Sequence, residues 1–171
     1  MEKKNKKIPK KNYIVLSTII IGALVLSTIV FFIFNNQKEY NKKIPVIRNH
    51  VKEIEAKDLN AYATENPDFL LYFDVSEEEE SRKVEEGLIE LIDRKKIEVV
   101  YVNLLDEDKE ALYKDFNSKY SKGVDLNSYP AFIIMKNGKI LDIVQKQERE
   151  INAGDIEQLL DINEIKGESD D

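Results

Sequence analysis

Two acidic stretches and one proline loop hold the side chains most able to do chemistry. Glu77, Glu78, Glu79 and Glu80 stand in a row, and Ser81 follows them. Four carboxylates suggest a cation site, but a hard cation takes about six to eight oxygens converging from several directions. Consecutive residues at a helix start point different ways around the axis, so the run reads as solvated charge that favours the positive end of the helix dipole. Glu78 and Ser81, at i and i+3, form a candidate acid–nucleophile pair on one helix face. Nothing in the sequence supplies a base for Ser81 or a second carboxylate opposite it, so no catalytic residue is assigned. Asp106-Glu107-Asp108-Lys109-Glu110 lacks the glycine that a calcium loop carries at its sixth position. It reads as another helix start, with Asp106 as the cap. The chain has one histidine, His50, and no cysteine. Disulfides, thiol nucleophiles, iron–sulfur clusters and thiolate zinc sites are excluded, and histidine-based metal sites and Ser-His-Asp triads are set aside. No metal and no cofactor is expected.

The elements that carry these residues follow from periodicity. Ser76 and Glu79 have the spacing of a capping box. Beyond them Val84, Leu88, Leu91 and Ile92 recur at helical intervals, and Arg94, Lys95 and Lys96 close the helix at its negative end. Residues 68–74 and 97–103 are continuous apolar runs bounded by turn formers, as in strands buried on both faces. Residues 56–65 and 107–120 have helical spacing, residues 51–54 suit a short strand, and a last helix spans 155–162. Residues 130–136 and 139–144 are strand-like and are joined by Asn137-Gly138, a strong hairpin signal. The order β-α-β-α-β-α-β-β-α predicts an α/β domain with one mixed sheet and helices on both faces.

The amino-terminal region is of another kind. Residues 13–34 carry no charge and are long enough to cross a hydrocarbon core of about 30 Å. Six lysines precede this run and three (Lys38, Lys42, Lys43) follow it closely, so the positive-inside rule places the amino terminus in the cytoplasm and the rest outside. A cleaved signal peptide has a shorter apolar region and a small-residue cleavage site. This run ends Phe-Phe-Ile-Phe-Asn-Asn and reads as an uncleaved anchor in membrane lipid. The predicted plan is a lysine-rich stub (1–12), a transmembrane helix (13–34), a linker (35–49), a globular domain (50–163) and an acidic tail (164–171). Nine of the 26 basic and two of the 33 acidic residues precede Ile44, which leaves 17 against 31 and a balance of −14 beyond it. A domain that acidic is repelled by nucleic acid.

The element order, with Pro130 directly before the hairpin, resembles the thioredoxin fold. Residues 71–84, LYFDVSEEEESRKV, resemble the strand that runs into the active-site loop and helix. Glu78-Glu79-Glu80-Ser81 then stands in the place of the C-x-x-C motif. Tyr129 to Gly138, YPAFIIMKNG, is similar to the family's cis-proline loop, strand and turn. The resemblance covers residues 50–163 and is nearest to the membrane-anchored bacteriocin transport accessory proteins. It implies a vestigial groove formed by Glu78, Ser81, Tyr129 and Pro130, with Phe132 close by and a cis bond before Pro130. Thiol–disulfide exchange needs a thiolate, so the family's oxidoreductase activity does not carry over. The resemblance therefore implies a redox-inactive binding or accessory protein with a protein or peptide partner outside the membrane. A non-redox enzyme using the same groove and a purely structural oligomer component are the alternatives.

Overall fold

The computed structural model describes residues 10–167 and divides between Asn41 and Lys42 into two compact units. The first holds the helix α1 (Lys10–Lys42), whose last residue falls in the second unit. Its apolar side chains, from Tyr13 to Phe34, are exposed all round, and it is long and apolar enough to cross a membrane. Thr18, Ser27 and Thr28 return their hydroxyls to the carbonyls of Ile14, Ala23 and Leu24 at 2.8–3.0 Å, which satisfies them inside an apolar helix. The helix continues through residues 35–42, where a linker was expected.

The second unit is an α/β domain. Its elements are β1 (Lys52–Glu53), α2 (Leu59–Glu65), β2 (Phe69–Asp74), α3 (Glu79–Lys95), β3 (Val99–Asn103), α4 (Lys109–Tyr120), β4 (Ala131–Lys136), β5 (Lys139–Gln145) and α5 (Ala153–Ile162). The sheet order is β1-β3-β2-β4-β5. β2 runs parallel to β3 and antiparallel to β4, and β4 is antiparallel to β5. Asn137 and Gly138, at φ 52° and 67°, make the tight turn between β4 and β5 that the Asn-Gly pair favours.

Alternation along the central strands makes two cores. Leu70 and Tyr72 of β2, with Val99 and Tyr101 of β3, pack under Val84, Leu88 and Leu91 of α3 and Ile156 and Leu160 of α5. Leu71, Phe73, Val100 and Val102 point the other way, towards Leu59 of α2 and Phe116 of α4. Strands buried on both faces lose polar alternation and become continuous apolar runs.

Several boundaries differ from the sequence reading. Val46–His50 forms a 3-10 turn whose Ile47 is fully buried; it belongs to the domain, not to a linker. α4 is capped by Asp108, whose carboxylate accepts from the Ala111 amide at 3.1 Å, and not by Asp106. α5 begins two residues early because Asn152 and Asp155 form a reciprocal capping box. The stub at 1–9 and the end of the tail, 168–171, lie outside the described residues.

Candidate functional site

The sheet brings two distant stretches together. Phe73 of β2 stands opposite Ala131 of β4, so the chain leaving β2 towards α3 runs beside the chain entering β4. The Tyr129 hydroxyl donates to Glu78 Oε1 at 2.8 Å, and the Tyr129–Pro130 bond is cis. Lys109 Nζ stands 5.4 Å from the centre of the Tyr129 ring, within cation–π range. Glu78, Lys109, Tyr113, Ser128, Tyr129 and Lys146 line an open depression of about 380 Å³. Burial, and then the Glu78 carboxylate it serves, push the Tyr129 phenol up to about 12.

The acidic run is internally matched. Glu77 meets Lys43 at 3.7 Å, Glu79 meets Lys83 at 3.3 Å one turn along, and Glu80 pairs with Lys146. The Lys146 ammonium holds the Glu80 carboxyl below its usual range. With Glu78 engaged by Tyr129, every carboxylate of the run has a partner within the domain. Among the described residues no group of three or more His, Asp or Glu side chains is arranged to hold a metal ion.

The predicted cap is not formed. A turn, in which the Glu78 amide donates to the Val75 carbonyl at 3.1 Å, delays the helix, and α3 starts at Glu79 with Glu78 as an extended N-cap (φ −79°, ψ 133°). No side chain caps it. Ser76 is fully buried; its hydroxyl donates to the Lys43 carbonyl at 2.8 Å and accepts from Asn103 Nδ2 at 2.9 Å. Two long-range partners outcompete a local cap. Glu79, the other half of the expected box, is exposed beside Lys83.

Nor do Glu78 and Ser81 form a pair. Glu78 lies outside the helix, so the i, i+3 relation of a helix does not hold, and Ser81 turns inward and is fully buried. Pro130 is buried behind Tyr129. Phe132 is wholly in the α3-side core, so it does not reach the surface beside Tyr129. The structure therefore brings Glu78, Tyr129 and Pro130 together and takes Ser81 and Phe132 away.

Beneath that surface lies a polar cluster the sequence reading missed. The period of two along the strands turns Tyr72, Asp74 and Tyr101 towards α3, and Ser81 and Glu85, one turn apart, face them. All five are buried. Tyr72 donates to Asp74 Oδ2 at 2.8 Å, and the Val75 amide donates to Asp74 Oδ1 at 2.6 Å. The Val46 amide donates to Glu85 Oε2 at 2.6 Å. Glu85 Oε1 and the Tyr101 hydroxyl have no hydrogen-bond partner, and the Ser81 hydroxyl makes no bond of ordinary geometry although it lies close enough to Asp74 to favour its ion. Burial pushes Asp74 up to about 6, against the pull of the nearby Ser81 and Tyr72 hydroxyls. Burial and then Asp74 push Glu85 up to about 7, against the Val46 and Ile47 amides and Arg82. One signal was in the sequence: Glu85 stands three residues before Leu88 and seven before Ile92, in phase with the apolar stripe.

No protein-family model and no curated protein matches the sequence. Solved structures do. Thioredoxin f2 of Chlamydomonas reinhardtii is 13% identical, with 67% of this chain and 97% of that one covered and a TM-score of 0.51. Another protein with a thioredoxin fold is 12% identical, with 66% and 95% covered and a TM-score of 0.50. Likeness at this identity is likeness of fold: the globular unit has the thioredoxin fold, preceded by one long apolar helix. Thiol–disulfide exchange proceeds through a thiolate, and this sequence has no cysteine.

Proposed function

We propose that the protein is a membrane-anchored, redox-inactive thioredoxin-like binding module, held outside the cytoplasmic membrane as an accessory to secretion or envelope assembly. In this reading it is a relative of the bacteriocin transport accessory proteins in which Glu78-Glu79-Glu80-Ser81 has replaced the C-x-x-C motif. α1 is the anchor, and the six-to-three lysine imbalance across its apolar run sets the orientation. One observation carries the binding role. Tyr129 and Glu78 meet where the loop before β4 touches the start of α3, and they line an open depression rather than a sealed contact. A thioredoxin-like groove that has lost its sulfur keeps a surface on which an extended segment can lie. The partner is a protein or peptide segment with an apolar anchor for the Tyr129 ring and basic side chains. These would take Glu78 and Glu80 over from Tyr129 and Lys146, and such binding weakens as salt rises.

Site-specific photocrosslinkers in cells test this reading. Crosslinkers at Tyr129 and at Glu78 are expected to capture the same protein, and one at Glu157, on α5, is expected not to. Capture of one set from all three positions, or capture through Glu157 alone, would move the binding face elsewhere. Orientation has its own test. A cysteine placed at the exposed Ser118 should react with a membrane-impermeant maleimide in intact cells, whereas one at Asn5 should not; the reverse pattern would put the domain in the cytoplasm.

A further inference from the structure

The stretch from residue 42 to residue 47 crosses the amino end of α3 and is pinned there by contacts of different kinds. The Ser76 hydroxyl donates to the Lys43 carbonyl at 2.8 Å. Arg82 Nη1 donates to the Lys42 and Ile44 carbonyls at 3.3 and 3.4 Å. Ile47 is buried in the α3-side core. Last, Glu85 Oε2 accepts the Val46 amide at 2.6 Å. Serine, arginine and isoleucine keep one protonation state at every physiological pH. Glu85 does not, and it is placed where its protonation matters.

The reason is in the unpartnered atoms. An ionised carboxylate only accepts hydrogen bonds, and Glu85 Oε1, fully buried, makes none, although the Ile47 amide, like that of Val46, favours the ion. Asp74 adds repulsion from β2. A protonated Glu85 keeps Oε2 for Val46 and acquires an O–H. Acceptors for that proton stand where its charge is felt: Asp74 on β2, and on β3 the Tyr101 hydroxyl, which makes no hydrogen bond of its own. The other charged or titratable groups felt there are Arg82 of α3, which favours the ion, and Tyr72 of β2. We infer that residues 42–47 form a latch over α3 that the neutral form of Glu85 holds closed, so that the latch loosens as pH rises through neutrality.

The sign follows from linkage. A carboxyl whose proton is held more tightly in the closed state than in the open one favours closure at low pH, and closure weakens as the pH rises between the two affinities. In the open state Glu85 meets water and takes its ordinary affinity. The opening constant then rises by about tenfold per pH unit over that interval and levels off above it. The latch touches Ser76, Glu77 and Arg82, which bracket the 78–81 run, so its release loosens one rim of the candidate site. This holds whether or not the depression beside Tyr129 binds a peptide.

Amide hydrogen exchange on the full chain in detergent micelles tests it, with rates at pH 5.5 and pH 8 converted to protection factors. The expected result is a fall of about tenfold or more for the Val46 and Ile47 amides, with protection there below that of the β4 core amides at both pH values, as local opening requires, and no fall at Val46 or Ile47 in Glu85→Gln. Equal protection at both pH values in the wild type would overturn the latch, as would the same fall in Glu85→Gln or protection at Val46 and Ile47 equal to that of the β4 core amides at both pH values. A second measurement does not depend on that variant: the Val46 amide proton shift should titrate near neutrality in the wild type, and Asp74→Asn should move its midpoint to lower pH. A Val46 shift flat from pH 5 to 8, or a midpoint that Asp74→Asn leaves in place, would also refute it.

Discussion

The amino end of α3 carries carboxylates in two settings. Glu77, Glu79 and Glu80 lie in or near solvent, each beside a lysine, and Glu78 accepts a phenol. One turn further along, Glu85 is shut inside with Asp74, no cation is bonded to either, and one oxygen is left bare. Water screens the first set, so each pair contributes little to stability and can be exchanged for a partner's charge at low cost. Burial makes the second set expensive to ionise. The outer acids suit recognition and the inner acids suit switching, although both sets gather about the amino end of α3.

The largest effect should separate the two settings by pH. Glu85 and Asp74 bind protons more tightly in the folded state, so their contribution is fully present below the unfolded affinities and is lost as pH rises through about 6 to 7. Denaturant unfolding of the full chain should show stability falling by about 3 kcal/mol between pH 4.5 and pH 8. Glu85→Gln should remove much of that slope and leave the protein more stable than wild type at pH 8. The outer acids cannot mimic this trend. Glu80 is held below its usual range by Lys146, and a lowered carboxyl loses its contribution only as pH falls. Stability that rose from pH 5 to pH 8 would break the comparison.

Ser76→Ala comes next. It removes a fully buried hydroxyl and leaves the half-buried Asn103 amide and the Lys43 carbonyl without it, at a cost of about 2 kcal/mol by denaturant midpoint. Glu79→Gln, its partner in the expected capping box, should leave the midpoint unmoved because no such box exists. Equal losses from the two variants would restore the cap. Asn152→Ala removes a cap that does exist and should cost about 1 kcal/mol. The smallest effect belongs to the outer run: Glu77→Gln should not shift the midpoint measurably, and a clear loss would give Glu77 a role beyond its exposed lysine.

What was legible in the sequence was local. Asn137-Gly138 dictates its own turn, the stripe from Val84 to Ile92 dictates its own helix face, and the apolar runs at β2 and β3 announce strands covered twice. What was not legible depends on residues far apart. Ser76 matches the S-x-x-E pattern, yet Asn103 and Lys43, 27 and 33 residues away, claim its hydroxyl. Asp74 reads as a turn former at a strand end until Tyr72 and α3 close over it. Glu85 is in phase with the apolar stripe, but its bond to Val46 spans 39 residues, and Val46 reads as linker. Asn152-x-x-Asp155 is a local signal that periodicity overlooked, because the apolar residues of α5 begin only at Ile156. At the candidate site, Tyr129, Pro130 and Glu78 were placed together by resemblance, while Ser81, three residues before Val84 and seven before Leu88, is in phase with the buried stripe and turns inward with it.

The most direct test of the contrast between outer and inner acids is a side-chain carboxyl titration by carbon-13 NMR on the full chain, with Glu80 and Glu85 assigned by substitution. Glu85 should titrate near neutrality, at about 7, and Glu80 below the ordinary glutamate range. If both carboxyls titrated together in the usual acidic range, Glu85 would be in contact with water, and the buried, switching half of the contrast would be wrong.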